Sequence, residues 1–536
     1  TGPDEIPAKF LKRYKEKISG TQSTLINDSI ALETYPDELK ESMVSPIFKE
    51  ADKRKCGNYR PVSVPTAVSK VTVLSAYHES EEPLDNYRYI AIPEFLDHPA
   101  FDSFKENAFK IADNNNANMQ GVFQLMYPLM SQTLKILQHP KLMELKKESF
   151  DLVIVGWFFN DFALGLSGHF HCPSVVIFPN VNNYFMRKLT GNPSSASTVP
   201  SPLFSFKTPM TFFQRFVNFF AVMFEPVMVE VIDYVYNRPL YKEAFPPNMY
   251  PTYDEVLKNV SLVLLSQHFS ERPAEALVPG LIEVAGMHIK KEPSPLPKEL
   301  KAFLDSATDG AVFMSLGSNV RSSDLSEAKI SIFLNKFKSM KQKVVWKFEA
   351  NLPNKPDNVF IGKWLPQNDI LAHPNTKVFI SHCGKGGVTE AKYHGVPVLG
   401  IPLFAEQSGN VRILVSEGWA LKIQFGDLNE TIFSESLDEI LGNPSYAERA
   451  QIMSNLYRDR PEHPLDKAAF WIEYVIRHNG ARHMQSSGVH LNVFQYYMVD
   501  VLALIFVSLA VLVKTVAFVC KQVKRKVFGT NKLKTS

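Results

Sequence analysis

The chain has 536 residues, 45% of them hydrophobic and 21% charged, which is typical of a globular protein with more than one domain. The net charge of +3 gives no argument for a nucleic-acid partner. The four cysteines lie far apart without CxxC or Cys/His ligand spacing, so neither a structural zinc site nor a disulfide framework is predicted.

Residues 1–70 differ from the rest of the chain. Residues 2–7, 46–50 and 58–63 resemble the opening of a non-LTR retrotransposon reverse transcriptase, but no pair of polymerase aspartates follows. The chain also has no initiator Met and no apolar signal segment. We interpret this fragment as the product of a fused or mispredicted gene model, outside the fold. A deliberate N-terminal domain is the alternative.

From residue 71 onward, short apolar runs alternate with amphipathic helices, which predicts an α/β fold. Residues 290–297 combine charges with three prolines and are predicted to link two nucleotide-fold domains, 71–289 and 290–485. The predicted strands are residues 71–75, 152–155, 174–178, 260–266, 312–315, 344–348, 359–361, 378–380 and 398–401.

Two apolar segments have more than one interpretation. Residues 204–236 are rich in Phe, Met and Val. Three interpretations are open for this segment: it lines an acceptor cleft, it lies on a membrane surface, or it packs in the core. Residues 467–477 form a helix with Phe470, Trp471, Tyr474 and Val475 on one face. This helix is expected to cross back and join the two halves.

Residues 379–407 are typical of a phosphate-binding turn between strands. A short strand is interrupted at residues 382–387, and residues 388–393 begin a helix whose amide N–H groups face an anion. Gly395 and Pro397 end this helix before a buried strand, and Glu406 and Gln407 follow that strand.

These residues resemble the UDP-glycosyltransferase family, in particular the membrane-bound animal branch, insect-like, that includes the UDP-glucuronosyltransferases. Residues 364–374 resemble the uracil-binding segment of that family, and residues 315–318 resemble its first donor-domain turn. The resemblance implies a GT-B fold, with two Rossmann-like domains facing across a cleft. It also implies inverting transfer of glucose or glucuronate from a UDP-sugar to hydroxyl groups of small lipophilic acceptors.

The resemblance assigns a role to each part of the donor site. Trp364 would stack on uracil near Gln367, and Glu390 would accept hydrogen bonds from the ribose hydroxyls. His382 and the helix amides would neutralise the diphosphate, so no metal and no cofactor are expected. Glu406 and Gln407 would bind the sugar. The predicted donor-binding residues are Ser315, Gly317, Ser318, Trp364, Gln367, His382, Gly384, Gly386, Gly387, Glu390, Glu406 and Gln407.

Three positions depart from the family pattern. Cys383 stands where Gly is usual, Gly386 where Asn is common, and Lys347 where glucuronosyltransferases tend to have Arg. Because Lys binds a carboxylate without the bidentate fork of Arg, Lys347 does not favour glucuronate over glucose.

The catalytic residues remain unknown. The family base is a histidine after the first strand of the N-terminal domain, held by an acidic residue, and this chain joins the pattern only at the second strand. The acidic position falls on Gly156, and Asp161 is a weak substitute. His78, His169 and His171 are interpreted as surface or core residues. The alternatives are therefore an inactive homologue, or a chimeric gene model that keeps only UDP-sugar binding.

Residues 494–520 are long and apolar enough to cross a membrane, with a buried core helix as the alternative. The basic residues of the tail, 521–536, place it in the cytosol and the body in the lumen. Lys532 and Lys534 resemble a dilysine signal for retrieval to the endoplasmic reticulum, against the alternative of a merely basic tail. The acceptor, the sugar and a homo-oligomeric state stay open.

Overall fold

The computed structural model describes residues 42–48, 59–65, 71–75, 87–92, 109–110, 112–113 and 120–528, except 202, 203, 205, 272 and 319. The chain forms two compact units, Thr1–Ala91 and Ile92–Ser536. The domain limits given above stay predictions.

The described residues of the first unit form two strand pairs. Strands β1 (Ser42–Phe48) and β2 (Tyr59–Pro65) run antiparallel, whereas β3 (Val71–Ser75) and β4 (Tyr87–Ala91) run parallel. In the parallel pair, Nε and Nη2 of Arg88 both donate to Oγ1 of Thr72. The strand predicted at 71–75 is confirmed. The retrotransposon origin of residues 1–70 stays a prediction, and residues 1–41 lie outside the described residues.

The second unit begins with a parallel sheet of four strands in the order β5-β6-β7-β8. All six side chains of β7 are apolar or small and are buried, as expected for a parallel strand covered on both faces. The strands are β5 (Val153–Gly156), β6 (Ser174–Phe178), β7 (Val260–Leu265) and β8 (Leu281–Glu283). The helices of this acceptor half are α1 (Gln120–Gln138), α2 (Pro140–Leu145), α3 (Gly165–Phe170), α4 (Tyr184–Thr190), α5 (Phe212–Ile232), α6 (Arg238–Ala244) and α7 (Tyr253–Lys258).

A second parallel sheet follows, with six strands in the order β11-β10-β9-β12-β13-β14. Alternate residues of β9 face two separate cores, with Val312 and Met314 in one and Ala311 and Phe313 in the other. The strands are β9 (Ala311–Ser315), β10 (Lys343–Lys347), β11 (Val359–Gly362), β12 (Thr376–Ser381), β13 (Val398–Gly400) and β14 (Ala420–Lys422). The helices of this donor half are α8 (Lys298–Asp305), α9 (Glu327–Ser339), α10 (Gln367–Leu371), α11 (Lys385–His394), α12 (Gln407–Glu417), α13 (Glu430–Gly442), α14 (Pro444–Arg458) and α15 (Pro464–Arg477).

Helix α15 crosses back onto the first sheet of the second unit. Ala468 and Val475 pack in one apolar cluster with residues of β6, β7 and β8, and Trp471 and Tyr474 pack against that cluster. The predicted role of this helix is therefore confirmed for three of its four aromatic and apolar residues. Phe470 is the exception, because its ring lies half-exposed on the outer side of the helix.

The C-terminal segment forms helices α16 (Val493–Tyr496) and α17 (Val499–Phe528). The most apolar 18-residue window within Val499–Val527 has a mean hydropathy of 2.6, and none of that window is buried. The alternative of a buried core helix is therefore wrong. Two Rossmann-like halves and one C-terminal apolar helix together confirm the predicted fold class.

Core packing is also wrong as a complete account of residues 204–236. Helix α5 buries Ala221, Val222 and Val229, but a row of large apolar side chains on its other face is exposed. The inner face of this helix also holds two bonded polar side chains, Asn218 and Glu225.

Candidate functional site

The site lies where the strand order of the second sheet reverses. Strand β9 has β10 on one side and β12 on the other, so the loops that follow β9 and β12 diverge at their carboxyl ends. Ligands of open α/β sheets bind in this crevice. The predicted residues 315–318 follow β9, and residues 382–387 follow β12. The structure thus brings the two predicted loops together.

His382 is held between two glycines. A Cβ atom on Gly317 would lie 2.7 Å from Cε1 and Nε2 of His382, and a Cβ on Gly384 would collide with the same ring. Gly317 also has a φ of +89°, in the left-handed region that favours glycine. Its N–H donates to Oγ of Ser315 at 3.3 Å. The ring orientation of His382 therefore depends on both glycines.

Burial keeps His382 neutral. Burial lowers the pKa of the imidazole to about 4. The nearby Ser315 backbone raises this pKa, and the positive charge of Lys347 lowers it further. Nδ1 makes no regular hydrogen bond within the described residues, although Ser315 is close enough to affect the pKa. His382 can thus exchange hydrogen bonds with a phosphate but carries no charge at pH 7.

The start of α11 supplies the complementary positive potential. Gly384 is the N-cap residue and provides no side chain to satisfy the first N–H groups, and the first turn contains no acidic residue. Gly386 is exposed, and a Cβ atom there would meet nothing within 4 Å. The first turn of this helix is consequently open to an anion.

The predicted nucleoside residues also meet. Nε2 of Gln367 donates to Oε2 of Glu390, and a Cβ on Gly387 would lie only 3.2 Å from that Nε2. Burial raises the pKa of Glu390 to about 7, against the effect of the Gln367 hydrogen bond. The ring of Trp364 is 78% exposed, so one face can receive a base.

The predicted sugar-binding residues begin α12. Oε1 of Gln407 accepts from the backbone N–H groups of Leu403 at 2.8 Å and Phe404 at 3.1 Å, which leaves its Nε2 for another acceptor. Partial desolvation by the surrounding residues raises the pKa of Glu406, although the side chain is still exposed to solvent. Asn410 of the same helix donates to the Cys383 carbonyl at 3.0 Å, which ties α12 to the phosphate turn.

The structure shows the surroundings of two residues that depart from the family pattern, Cys383 and Lys347. Cys383 has a φ of +63°, which explains why glycine is favoured at this position, and its buried thiol has a raised pKa. Lys347 forms a 2.6 Å ion pair with Glu349 and lies 6.0 Å from the centre of the Trp364 ring. Its ammonium group is thus already partnered beside the predicted uracil platform.

Sequence reasoning missed two residues that reach this site from the acceptor half. Glu271 forms an ion pair with Lys385, and Nε2 of His288 lies 3.7 Å from Oε1 of Glu390. Burial, followed by Lys385, lowers the pKa of His288. One signal was available for Glu271, because it follows a predicted strand at the end where ligand sites form.

Asp161 is held in a buried polar network. Its Oδ1 accepts from Nε1 of Trp157 at 2.7 Å, and Nδ2 of Asn237 lies 3.5 Å from its Oδ2. Burial, and then the nearby Asp233, raises the pKa of Asp161 to about 7. At Gly156, the predicted acidic position, a Cβ atom would meet nothing within 4 Å.

Of the three stray histidines considered above, His169 has a structural role and His171 is exposed. The two ring nitrogens of His169 bond to the Lys146 carbonyl at 2.7 Å and to the Tyr250 hydroxyl at 3.2 Å. His171 ends α3 in a left-handed conformation and is exposed. His78 lies outside the described residues.

The comparisons with known proteins identify the family. The profile described as UDP-glucoronosyl and UDP-glucosyl transferase matches residues 78–534. The chain belongs to this family. It is therefore a UDP-glycosyltransferase, and the predicted resemblance is confirmed.

Curated relatives agree with this assignment. UDP-glucosyltransferase 2 of Dactylopius coccus is 36% identical over 73% of this chain and 76% of its own length. UDP-glucuronosyltransferase 2B7 of Homo sapiens is 33% identical over 72% of both chains. The solved UDP-glucose:anthocyanidin 3-O-glucosyltransferase in complex with UDP has a TM-score of 0.46 and 16% identity, covering 74% of this chain and 87% of that one. Because that likeness is weak, the fold assignment rests on the two parallel sheets.

Proposed function

We propose that this UDP-glycosyltransferase binds its UDP-sugar without a metal in the crevice between β9 and β12. It transfers glucose or glucuronate to a hydroxyl group of a small lipophilic acceptor. The observation that carries this proposal is the position of His382, fixed between Gly317 and Gly384 beside the open start of α11.

The residues divide the binding of the donor among them. Trp364 stacks on the uracil, Glu390 accepts from the ribose hydroxyls, and Glu406 with Gln407 contacts the sugar. The N–H groups at the start of α11 and the neutral His382 bind the diphosphate. Because charge builds up on the diphosphate as the sugar–phosphate bond breaks, donors aimed at it stabilise the transition state more than the ground state.

The transfer itself is a single displacement at the anomeric carbon. The acceptor oxygen attacks from the side opposite the diphosphate, its proton passes to a base, and UDP leaves with the electron pair of the broken bond. This geometry inverts the anomeric configuration. The base stays unassigned.

A second candidate function is UDP-sugar binding without transfer. It is favoured by Gly156, which presents no carboxylate at the position where the family pattern has its acidic residue, and by Asp161, whose carboxyl group is engaged by Trp157. Loss of a positioned base typically lowers the rate by about 10²- to 10⁴-fold even when the fold survives.

Calorimetric titration of the full chain in detergent with UDP, in the presence of EDTA, tests the donor site. We expect binding without added Mg²⁺. Trp364→Ala should weaken UDP binding by about 1–3 kcal/mol, the usual value of one base stacked on an aromatic ring, and Trp364→Phe should retain most of it. A requirement for Mg²⁺, or an unchanged affinity of Trp364→Ala, would contradict the assignment.

An exchange experiment separates the two candidate functions. The chain is expressed behind a signal peptide, beside a version whose residues 1–70 are replaced by a first strand, histidine loop and helix of the family type. Turnover of UDP-glucose and UDP-glucuronate by the second version alone supports binding without transfer for the chain as it stands. Comparable turnover by both versions means that a base is already present.

We also propose the endoplasmic-reticulum membrane as the location, with α17 as a type I anchor, the body in the lumen and the basic tail in the cytosol. The apolar helix and its lack of buried residues support an anchor. Retrieval would use Lys532 and Lys534, which lie outside the described residues. Replacing both lysines by Ser should release the protein to later compartments, and an unchanged location would contradict retrieval through them.

A further inference from the structure

Helix α5 and the turn after it expose a continuous row of large apolar side chains. Every member of this row is at least half-exposed, and successive members are three or four residues apart, so they share one helix face. We call this row the α5 stripe. The α5 stripe consists of Phe213, Phe216, Phe220, Phe224, Val227, Val231 and Tyr234.

The opposite face of α5 holds buried polar groups that are fully engaged. Glu225 accepts from Nη2 of Arg187 at 2.6 Å and from the Ser201 hydroxyl at 2.5 Å. Nδ2 of Asn218 donates to the carbonyls of Ala196 at 2.7 Å and Val199 at 2.9 Å. The same buried face also holds Ala221, Val222, Pro226, Val229 and Ile232, so α5 is apolar on both faces, unlike a helix with one face in water.

These buried contacts fix the rotation of the helix. Turning the α5 stripe inward would remove Glu225 from Arg187, and both side chains are only 5% exposed. Breaking a buried ion pair is strongly destabilising, because it leaves a buried charge without a partner. The α5 stripe is therefore held outward, and an exposed apolar surface of this extent marks a binding face.

The anchor begins beside the residues that follow α4. The Tyr496 hydroxyl donates to the Asn192 carbonyl at 2.8 Å, three residues before α17 starts at Val499. Gly191 approaches the segment before α16 so closely that a Cβ atom on it would lie 2.7 Å from the Val489 nitrogen. Residues 191 and 192 directly follow α4, which is joined to α5 by the Arg187–Glu225 pair.

The charges around the α5 stripe are compatible with lipid headgroups. Lys207 and Arg215 lie exposed near its first residues. The exposed acid close to its other end, Glu230, is paired with Lys188 at 3.0 Å and Arg238 at 2.9 Å. No unpaired acidic side chain thus lies next to the stripe among the described residues of α5.

We propose that the α5 stripe lies in the interfacial layer of the same bilayer that α17 crosses. The body of the protein then contacts the membrane at two points, through α17 and through α5. An apolar helix face in that layer is stabilised by the area it removes from water. This inference rests on α17 as a membrane anchor and is independent of the donor site.

Fluorescence quenching tests the proposal on the full chain in lipid vesicles. In a background with Cys56 and Cys520 replaced by Ser, the single substitutions Phe220→Cys and Val227→Cys are labelled with the environment-sensitive fluorophore NBD. Leu456→Cys on α14 is the matched control, because Leu456 is also an apolar side chain about half-exposed on a helix surface. Cys172 and Cys383 are buried and are not expected to react.

We expect spin-labelled phosphatidylcholine to quench NBD at positions 220 and 227 several-fold more strongly than at position 456. Retained UDP binding by each labelled variant shows that the fold is intact. Equal quenching at the three positions would overturn the proposal. Oxidative cross-linking of two copies through position 220, with no quenching by the lipid, would also overturn it and assign the α5 stripe to a second copy of the chain.

Discussion

Lys385 and Glu271 form a 2.6 Å ion pair that joins the acceptor half to the first residue of the donor helix α11. Both side chains are less than a tenth exposed. A lysine at a helix start is unfavourable, because the helix dipole already places positive potential there, and Glu271 offsets the charge of Lys385. Burial raises the pKa of Glu271, but Lys385 and then Lys392 lower it more strongly, so the group remains ionised.

We expect Glu271→Gln to destabilise the protein by about 3–5 kcal/mol, because it leaves a buried ammonium without a counter-charge. The double variant Glu271→Gln/Lys385→Met should recover most of this loss. Urea unfolding at pH 7, followed by tryptophan fluorescence, measures both. Since the folded pKa of Glu271 is lowered, its contribution is present above the unfolded pKa and disappears as the pH falls through the folded one.

The control for this pair is Lys301→Met, which removes an exposed ion pair with Asp305 inside α8. Exposed pairs contribute little because water and salt screen them. A stability change for Glu271→Gln as small as that for Lys301→Met would show that the contact between the halves is not formed in solution.

The sequence predicted those strands that a local residue pattern marks without information from the rest of the fold. Continuous apolar runs located β6, β7, β9 and β12, and the preceding Gly395 and Pro397 located the three-residue β13, whereas β4, β8 and β14 were not predicted. The phosphate turn was found because its glycines and His382 are close in the chain. Glu271 was missed because its partner is 114 residues away, and only the folded chain brings the two together.

The glycines around His382 allow a matched pair of substitutions. Gly317→Ala places a Cβ atom 2.7 Å from the His382 ring at a φ of +89°, so we expect it to displace the ring and weaken UDP binding at least tenfold. Gly386→Ala meets no atom within 4 Å and should leave the affinity within about twofold. Calorimetric titration with UDP measures both. A similar affinity of the two variants for UDP would contradict the assignment of His382 to the phosphate site.

Gly386 also offers a gain-of-function test. The family commonly has Asn here, and the open space at this position admits a side chain. An amide that donates to a phosphate oxygen contributes about 1.5 kcal/mol, so Gly386→Asn should raise the affinity for UDP by roughly tenfold. Gly386→Leu is the control for side-chain volume without a donor. An equal gain from Leu would attribute the effect to helix propensity instead of a phosphate contact.

Binding of UDP should depend on the ionisation of Glu390. Burial raises the pKa of this carboxyl group to about 7, so its ionised fraction grows as the pH rises from 6 to 8. Only the ionised form can accept hydrogen bonds from both ribose hydroxyls, and affinity should therefore increase over this range. Glu390→Gln should remove this pH dependence of the affinity, but it should retain any pH dependence that arises from ionisation of the UDP phosphates. If the affinities of the unsubstituted chain and Glu390→Gln changed with pH in the same way, the assignment of Glu390 to the ribose site would be wrong.

The chain has three glycosylation sequons, at Asn27, Asn259 and Asn429, and the last two should differ in use if the body lies in the lumen. Asn429 is the exposed N-cap of α13, and the residues that follow it are exposed as well. Asn259 is followed directly by β7, in which Val260 and the sequon residue Ser261 are both buried. A glycan at Asn259 would therefore interfere with the entry of the chain into the sheet. After expression behind a signal peptide in an Asn27→Gln background, Asn429→Gln should abolish the mobility shift caused by glycosidase digestion, and Asn259→Gln should leave it unchanged. Absence of any shift in the unsubstituted chain would contradict the luminal orientation.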